Sequence, residues 1–172
     1  MMYIPAFDPY AACYRMLHLL DRLGAERPVE ADRLRILDFY LLFPARVYGI
    51  RLRRSESDLR ALRRQWVARC DSPYSAVTNE RRLFERMRPY QTIALHRLAA
   101  CGLVSAPHLL RDQVLVPDPS RLRQVTDSLV PLPEQGCRVV DWLCHCFRTT
   151  PLSGEYGLKY RTQLIEYRYD GK

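Results

Sequence analysis

Long apolar runs are missing from this chain of 172 residues. None exceeds seven positions, as in Phe39 to Ala45, which contains Pro44. A bilayer-crossing helix needs about 20, so no membrane partner is expected. Basic residues are missing from Met1–Phe7, and Asp8-Pro9 follows that short apolar stretch at once. No export signal is expected there, which places the chain in the cytoplasm. Glycine is scarce, at seven residues, and no G-x-x-x-x-G-K-[ST] loop occurs to cradle a phosphate. G-x-S-x-G and H-E-x-x-H are absent as well. Lysine is nearly absent: 27 cationic residues include only Lys159 and Lys172, the other 25 being arginine.

The cysteines and histidines that are present do not assemble into a familiar centre. Without an export signal the six cysteines (Cys13, Cys70, Cys101, Cys137, Cys144, Cys146) are expected to be reduced thiols packed as small hydrophobes. Cys144-His145-Cys146 is their one cluster, yet C-x-C is tighter than the usual zinc knuckle and no second pair stands at ligand spacing. Neighbours on a helix point about 100° apart, so adjacency does not bring a thiol to an imidazole. His18, His96, His108 and His145 each lie in or beside apolar stretches without a partner at ligand spacing. No catalytic residue, metal or cofactor is expected, and the chain is read as not an enzyme; a small thiol-dependent enzyme built on Cys144 or Cys146 is the weakest alternative.

What the chain does have is apolar content and local positive charge. Hydrophobic residues make up 48% and charged residues 27%, a composition that folds rather than staying disordered. The formal charge is +8, and twelve arginines against five acids fall between Arg46 and Arg88. Such a concentration steers phosphate or an acidic partner, or forms a solvated helix face. Arg51, Arg53, Arg54, Arg60, Arg63, Arg64, Arg81, Arg82, Arg86 and Arg88 are the candidate contacts to DNA or to an acidic partner.

Periodicity and punctuation give a mainly α chain. Asp8 caps a first helix with Pro9 at its first position, Tyr10, Cys13, Leu17 and Leu20 forming its stripe and Gly24 its stop. A second helix is expected from near Pro28 to Pro44, and its second half is apolar nearly all round. It is therefore either the central strut or partly covered by another chain, which makes Phe39 and Tyr40 candidate partner residues. Ser55-Glu56-Ser57-Asp58 resembles a capping box before a helix carrying Leu59, Leu62 and Trp66. Residues 71–78 read as a loop. Asp118-Pro119 opens a further helix, and Glu134–Phe147 forms a largely buried one. Three parts are expected around one shared core: an N-terminal helical part over 1–54, a basic part over 55–117, and C-terminal helices with a tail over 118–172.

The middle part has the order of a winged helix. A basic helix opened by Thr78 or Asn79 stops at Pro89; a second runs from Tyr90 to Cys101; Gly102-Leu103-Val104 follows, and Gln113–Val116 returns as a strand of a short β-hairpin. Only Gln91, Thr92, His96 and Arg97 of the second helix are suited to reach a base or phosphate. The tail fits a strand through Tyr156, Leu158, Tyr160, Thr162 and Leu164, or a helix through Tyr160, Leu164 and Tyr167. Its mixture of Tyr156, Lys159, Tyr160 and Arg161 marks a candidate partner interface.

Four blocks carry a family resemblance: Phe7–Tyr10, Asp32–Pro44, Leu83–Met87 and Gly157–Asp170. Together they resemble the middle components of bacterial ABC-three-component systems, which are similar to the accessory subunit of Lamassu-type antiphage defence. The resemblance implies a non-catalytic adaptor on an SMC-like ABC ATPase, working with a separate effector such as a nuclease and with DNA reached through the complex. A free-standing winged-helix transcription regulator is the competing expectation.

Overall fold

Helix α2 (Ala31–Leu42) explains why this chain folds as it does. Every residue from Arg33 to Leu41 is buried, so the helix must be wrapped on all sides. The computed structural model describes residues 4–24, 27–68 and 79–165. The wrapping is done by α1 (Pro9–Leu23), α4 (Glu80–Ala100) and α7 (Glu134–Phe147), each packed against α2. Helix α3 (Ser57–Trp66) lies on α7, α6 (Pro119–Asp127) on α1, and the short α5 (Ala106–Leu109) on α4. Helix α8 (Leu158–Thr162) ends the described chain. One hydrophobic core runs through all of these elements, with Phe39, Tyr40, Trp142 and Phe147 its largest fully buried side chains. No helix of the described residues is long and apolar enough to cross a membrane.

Side-chain caps set the starts of α1, α4 and α6. The Asp8 carboxylate accepts from Tyr10 N at 2.7 Å, and Gly24 closes α1 in the left-handed region at φ 60°. Asp118 caps α6 by accepting from Arg121 N at 3.0 Å. Of the stripe predicted for α1, Leu17 and Leu20 are buried and Cys13 packs half-buried against the core, Met16 and Leu19 widen the inward face, and Tyr10 is 66% exposed. Helix α2 starts at Ala31 rather than near Pro28, because Val29–Glu30 is taken as strand β1.

The largest departure is at Pro89, which does not stop the helix; α4 runs unbroken through it. Proline removes one backbone bond and costs about 3 kcal/mol in a helix interior. Phe84, Met87, Gln91, Ala94, Leu95 and Leu98 recur at three- and four-residue steps and are all buried. Each large apolar side chain buried in this way contributes about 1.5–3 kcal/mol, so one continuous buried stripe outweighs the lost bond. Strand β2 (Gln113–Val114) then pairs antiparallel with β1, Val29 opposite Val114, making a two-stranded sheet. Leu103–Ser105, the segment expected to pair with Gln113–Val116, meets it only at the Ser105 N to Leu115 O bond of 2.9 Å among the backbone bonds of the described residues. The loop predicted over 71–78 lies outside the described residues.

Candidate functional site

The cationic loop before α3 and the tyrosines of the tail, more than a hundred positions apart in sequence, meet on one surface. Residues 51–53 run alongside α8: Arg51 N donates to Arg161 O at 3.0 Å. Arg161 closes the junction by donating through Nη1 and Nη2 to the two carboxylate oxygens of Glu56 at 2.8 and 2.9 Å, and through Nε to Tyr156 O at 2.7 Å. That paired hydrogen bonding holds the Glu56 carboxyl below its ordinary value of 4.5, against the opposing effect of burial. Glu56 is thus committed to Arg161 and to Arg53 N at 2.6 Å. It occupies the cap position of α3 without a side-chain capping bond, so the capping box predicted from Ser55 to Asp58 does not form.

Two tyrosine rings support two guanidiniums there. Arg53 lies over Tyr156 at 4.5 Å and Arg51 over Tyr160 at 5.2 Å, and the two rings sit 5.7 Å apart in an edge-on arrangement. Tyr156 holds φ 59°, a left-handed conformation that a bulky side chain adopts only under constraint. Arg60 donates to Arg53 O and Arg54 O, both at 2.6 Å, and Arg63 to Val47 O at 3.1 Å. Carbonyl oxygens carry no net charge, so these contacts fix the guanidiniums in place without neutralising them. Arg51, Arg53, Arg54 and Arg64 are exposed.

The remaining predicted cations divide differently. Arg81, Arg82, Arg86 and Arg88 are exposed on the first half of α4, with Arg86 over Phe7 at 4.6 Å. Lys159 pairs with Asp32 at 3.2 Å. Of the predicted partner residues, Tyr156 is exposed and Lys159 and Tyr160 are half-buried on this surface, whereas Arg161 is a buried tie. Phe39 and Tyr40 lie inside this chain at 0% and 1% exposure, because α1, α4 and α7 enclose α2; they offer no surface to a partner. Burial also pushes the Tyr40 hydroxyl up.

The charge count did not foresee a polar core. Asp38, fully buried on α2, accepts from Arg15 Nε at 2.6 Å, from Arg15 Nη2 at 3.2 Å and from Gln91 Nε2 at 2.8 Å. Arg33 reaches Glu30, Phe147 O and Thr150 O at 2.8, 2.6 and 2.7 Å. Arg35 pairs with Asp32 and also donates to Thr92 at 3.3 Å. An aspartate inside the otherwise apolar second half of α2, residues 36–42, is the signal for such a cluster, since a buried carboxylate requires a partner. Gln91 and Thr92 therefore serve the core, while His96 and Arg97 stay exposed.

Cys144 and His145 line an open cleft of about 440 Å³ with Arg22, Trp66, Asp141, Arg148 and Thr149. Burial pushes the Cys144 thiol up to about 11 and the Cys146 thiol up to about 12. Both stay protonated at neutral pH, and a thiol is a poor nucleophile. The five described cysteines are free, Cys70 lies outside the described residues, and no group of three or more His, Cys, Asp or Glu among the described residues is placed to hold a metal.

Comparison with known proteins gives one family match: the model described as ABC-three component (ABC-3C) system Middle Component 5 matches residues 1–170. No curated protein and no solved structure matches the chain.

Proposed function

The chain belongs to the ABC-three component system middle component 5 family, and on that premise we propose that it is a non-catalytic adaptor in the cytoplasm. In this reading it docks on an SMC-like ABC ATPase and links that ATPase to an effector, such as a nuclease, in antiphage defence of the Lamassu type. The observation that carries the proposal is exposed apolar surface set among arginines. The segment from α4 to β2 leaves Ile93 44% and Leu110 83% exposed, apolar area suited to being covered by a protein. Exposed guanidiniums flank it at Arg97 and Arg111 and continue on Arg81, Arg82, Arg86 and Arg88, while Arg51, Arg53, Arg54 and Arg64 stand on the 51–64 segment. A subunit with this mixture at its surface fits bridging better than self-contained chemistry.

The regulator reading is less well supported. It needs the stretch from Gln91 to Arg97 to face a DNA groove, and Gln91 is 0% exposed with its amide bound to Asp38 and Arg35 O.

Co-expression with the ATPase tests the adaptor reading. The tagged ATPase should retain this chain at a fixed ratio, and Ile93→Asp with Leu110→Asp should release it while the isolated chain keeps its melting temperature. Retention of the double variant at the wild-type ratio, or a wild-type chain that never joins the ATPase, defeats the proposal.

A further inference from the structure

From the arrangement of Arg51, Arg53, Arg54, Arg60 and Arg64 we infer that this chain itself touches DNA, gripping the phosphate backbone and leaving the bases unread. The inference deepens the adaptor proposal by giving its cationic surface a ligand. It stands on three observations.

The first is that the charge is retained. Arg60 is bound to the carbonyls of Arg53 and Arg54, Arg53 rests on a ring, and Arg64 makes no hydrogen bond or ion pair among the described residues. Glu56, the half-buried acid of the segment, is already spent on Arg161. Among the described residues Asp58 and Glu155 are the exposed carboxylates of these segments, fewer than the five guanidiniums.

Spacing is the second. The rings beneath Arg51 and Arg53 are 5.7 Å apart, and Arg60 and Arg64 stand about one helical turn of 5.4 Å apart on α3. Phosphates follow one another at about 3.4 Å of helix axis along one strand, so guanidiniums separated on this scale can each meet a phosphate. A row of one sign suits a polyanion with charges at regular intervals, and competition by polyglutamate separates nucleic acid from an acidic protein.

The third is preorganisation. Tyr156 is held at φ 59° beside a crowded Gly157, where an added Cβ would lie 2.6 Å from Ser153 O. Arg53 and Arg51 already occupy ring faces of Tyr156 and Tyr160. The rings thus work as supports for guanidiniums, whose N–H edges match phosphate oxygens in pairs. Duplex and single strands should bind alike in sequence-blind fashion, without the base stacking of single-strand binders.

The experiment titrates the full-length chain with fluorescein-labelled 30-base-pair duplexes of two unrelated sequences, over a series of salt concentrations. Both sequences should bind equally, and log K should fall with log[salt] at a slope of about −4, as four to five phosphate contacts require. Arg53→Glu with Arg64→Glu should lower affinity at least tenfold and bring the slope to about −2. The charge-matched pair Arg82→Glu with Arg88→Glu on α4 should lower it by much less. Tyr156→Gly, which keeps every charge, should cost about two- to fivefold. A neutral pair, Arg53→Gln with Arg64→Gln, and equal melting temperatures guard against misfolding. Equal losses from the α4 pair, a strong preference for one sequence, or polyglutamate competing as well as unlabelled duplex would overturn the inference. Failure here leaves ATPase retention untouched, and failure of retention leaves DNA binding by the isolated chain untouched.

Discussion

The arginines around α2 and those around α8 are the same residue used in opposite ways. Arg15, Arg33 and Arg35 are at most 6% exposed and meet carboxylates: Asp38, Glu30 and Asp32. Arg51, Arg53 and Arg60 are held by rings and carbonyl groups at the surface. In the first region the charge is cancelled, and the guanidinium forks join helices distant in sequence. In the second it is retained, and the contacts fix its position. The formal surplus of +8 therefore says little by itself about what faces solvent. The acceptor beside each guanidinium decides whether an arginine belongs to the fold or to a partner.

Asp38→Ala breaks the comparison most severely. It leaves Arg15 buried without its counter-charge and removes one acceptor of Gln91. Removing one partner from a buried pair costs about 3–5 kcal/mol, which for a chain of this size lowers the melting temperature by roughly 10 °C. Urea denaturation and thermal melting measure it, and DNA affinity of the folded protein should be unchanged. A loss under about 1 kcal/mol would mean that the polar core is not holding α1, α2 and α4 together.

Much of this division was visible in the chain, and the parts that were not share a cause. Asp8, Gly24 and Asp118 act through bonds to residues within four positions, so the ends they set could be read directly. The buried helix Glu134–Phe147 was equally legible from its two apolar stripes. Pro89 misled because the outcome depended on a stripe continuing on both sides of it, a property of the packed core rather than of the residue. Phe39 and Tyr40 were assigned both to the core and to a partner surface, and only the presence of three enclosing helices separates the two. The site was half legible. Its residue types pointed to Arg53 and Tyr156, but their meeting depends on α8 crossing the 51–56 segment, and Arg161, expected as a contact, is the tie that makes the crossing.

Glu56→Gln probes that tie and sits between the two extremes. Glu56 is 22% exposed at its side chain and Arg161 5%, so the loss should be about 1–3 kcal/mol, smaller than that of Asp38→Ala. It should also depend on pH. The folded-state value of Glu56 lies below the ordinary 4.5, so the unfolded chain takes up the proton first as pH falls. The pair's contribution is therefore complete above the ordinary range and drains away as acidity rises through the folded-state value. The Glu56→Gln protein should lack that part of the acid limb, and wild type and variant should converge in stability at low pH. Parallel curves would show that the carboxylate charge contributes nothing at this junction.

The smallest effect on stability belongs to Arg53→Ala. Its guanidinium rests on the exposed face of Tyr156 and donates to no buried acceptor among the described residues, so unfolding free energy should change by about 1 kcal/mol or less. The substitution takes one cation from the row, and DNA affinity should fall severalfold with the salt slope shallower by about one contact. A residue that costs the fold little and the ligand more is what the surface class requires; Asp38→Ala should give the reverse. If Arg53→Ala instead destabilises the chain as much as Glu56→Gln does, the ring-held guanidinium is a second structural tie, and the boundary between the two classes of arginine runs outside residue 53.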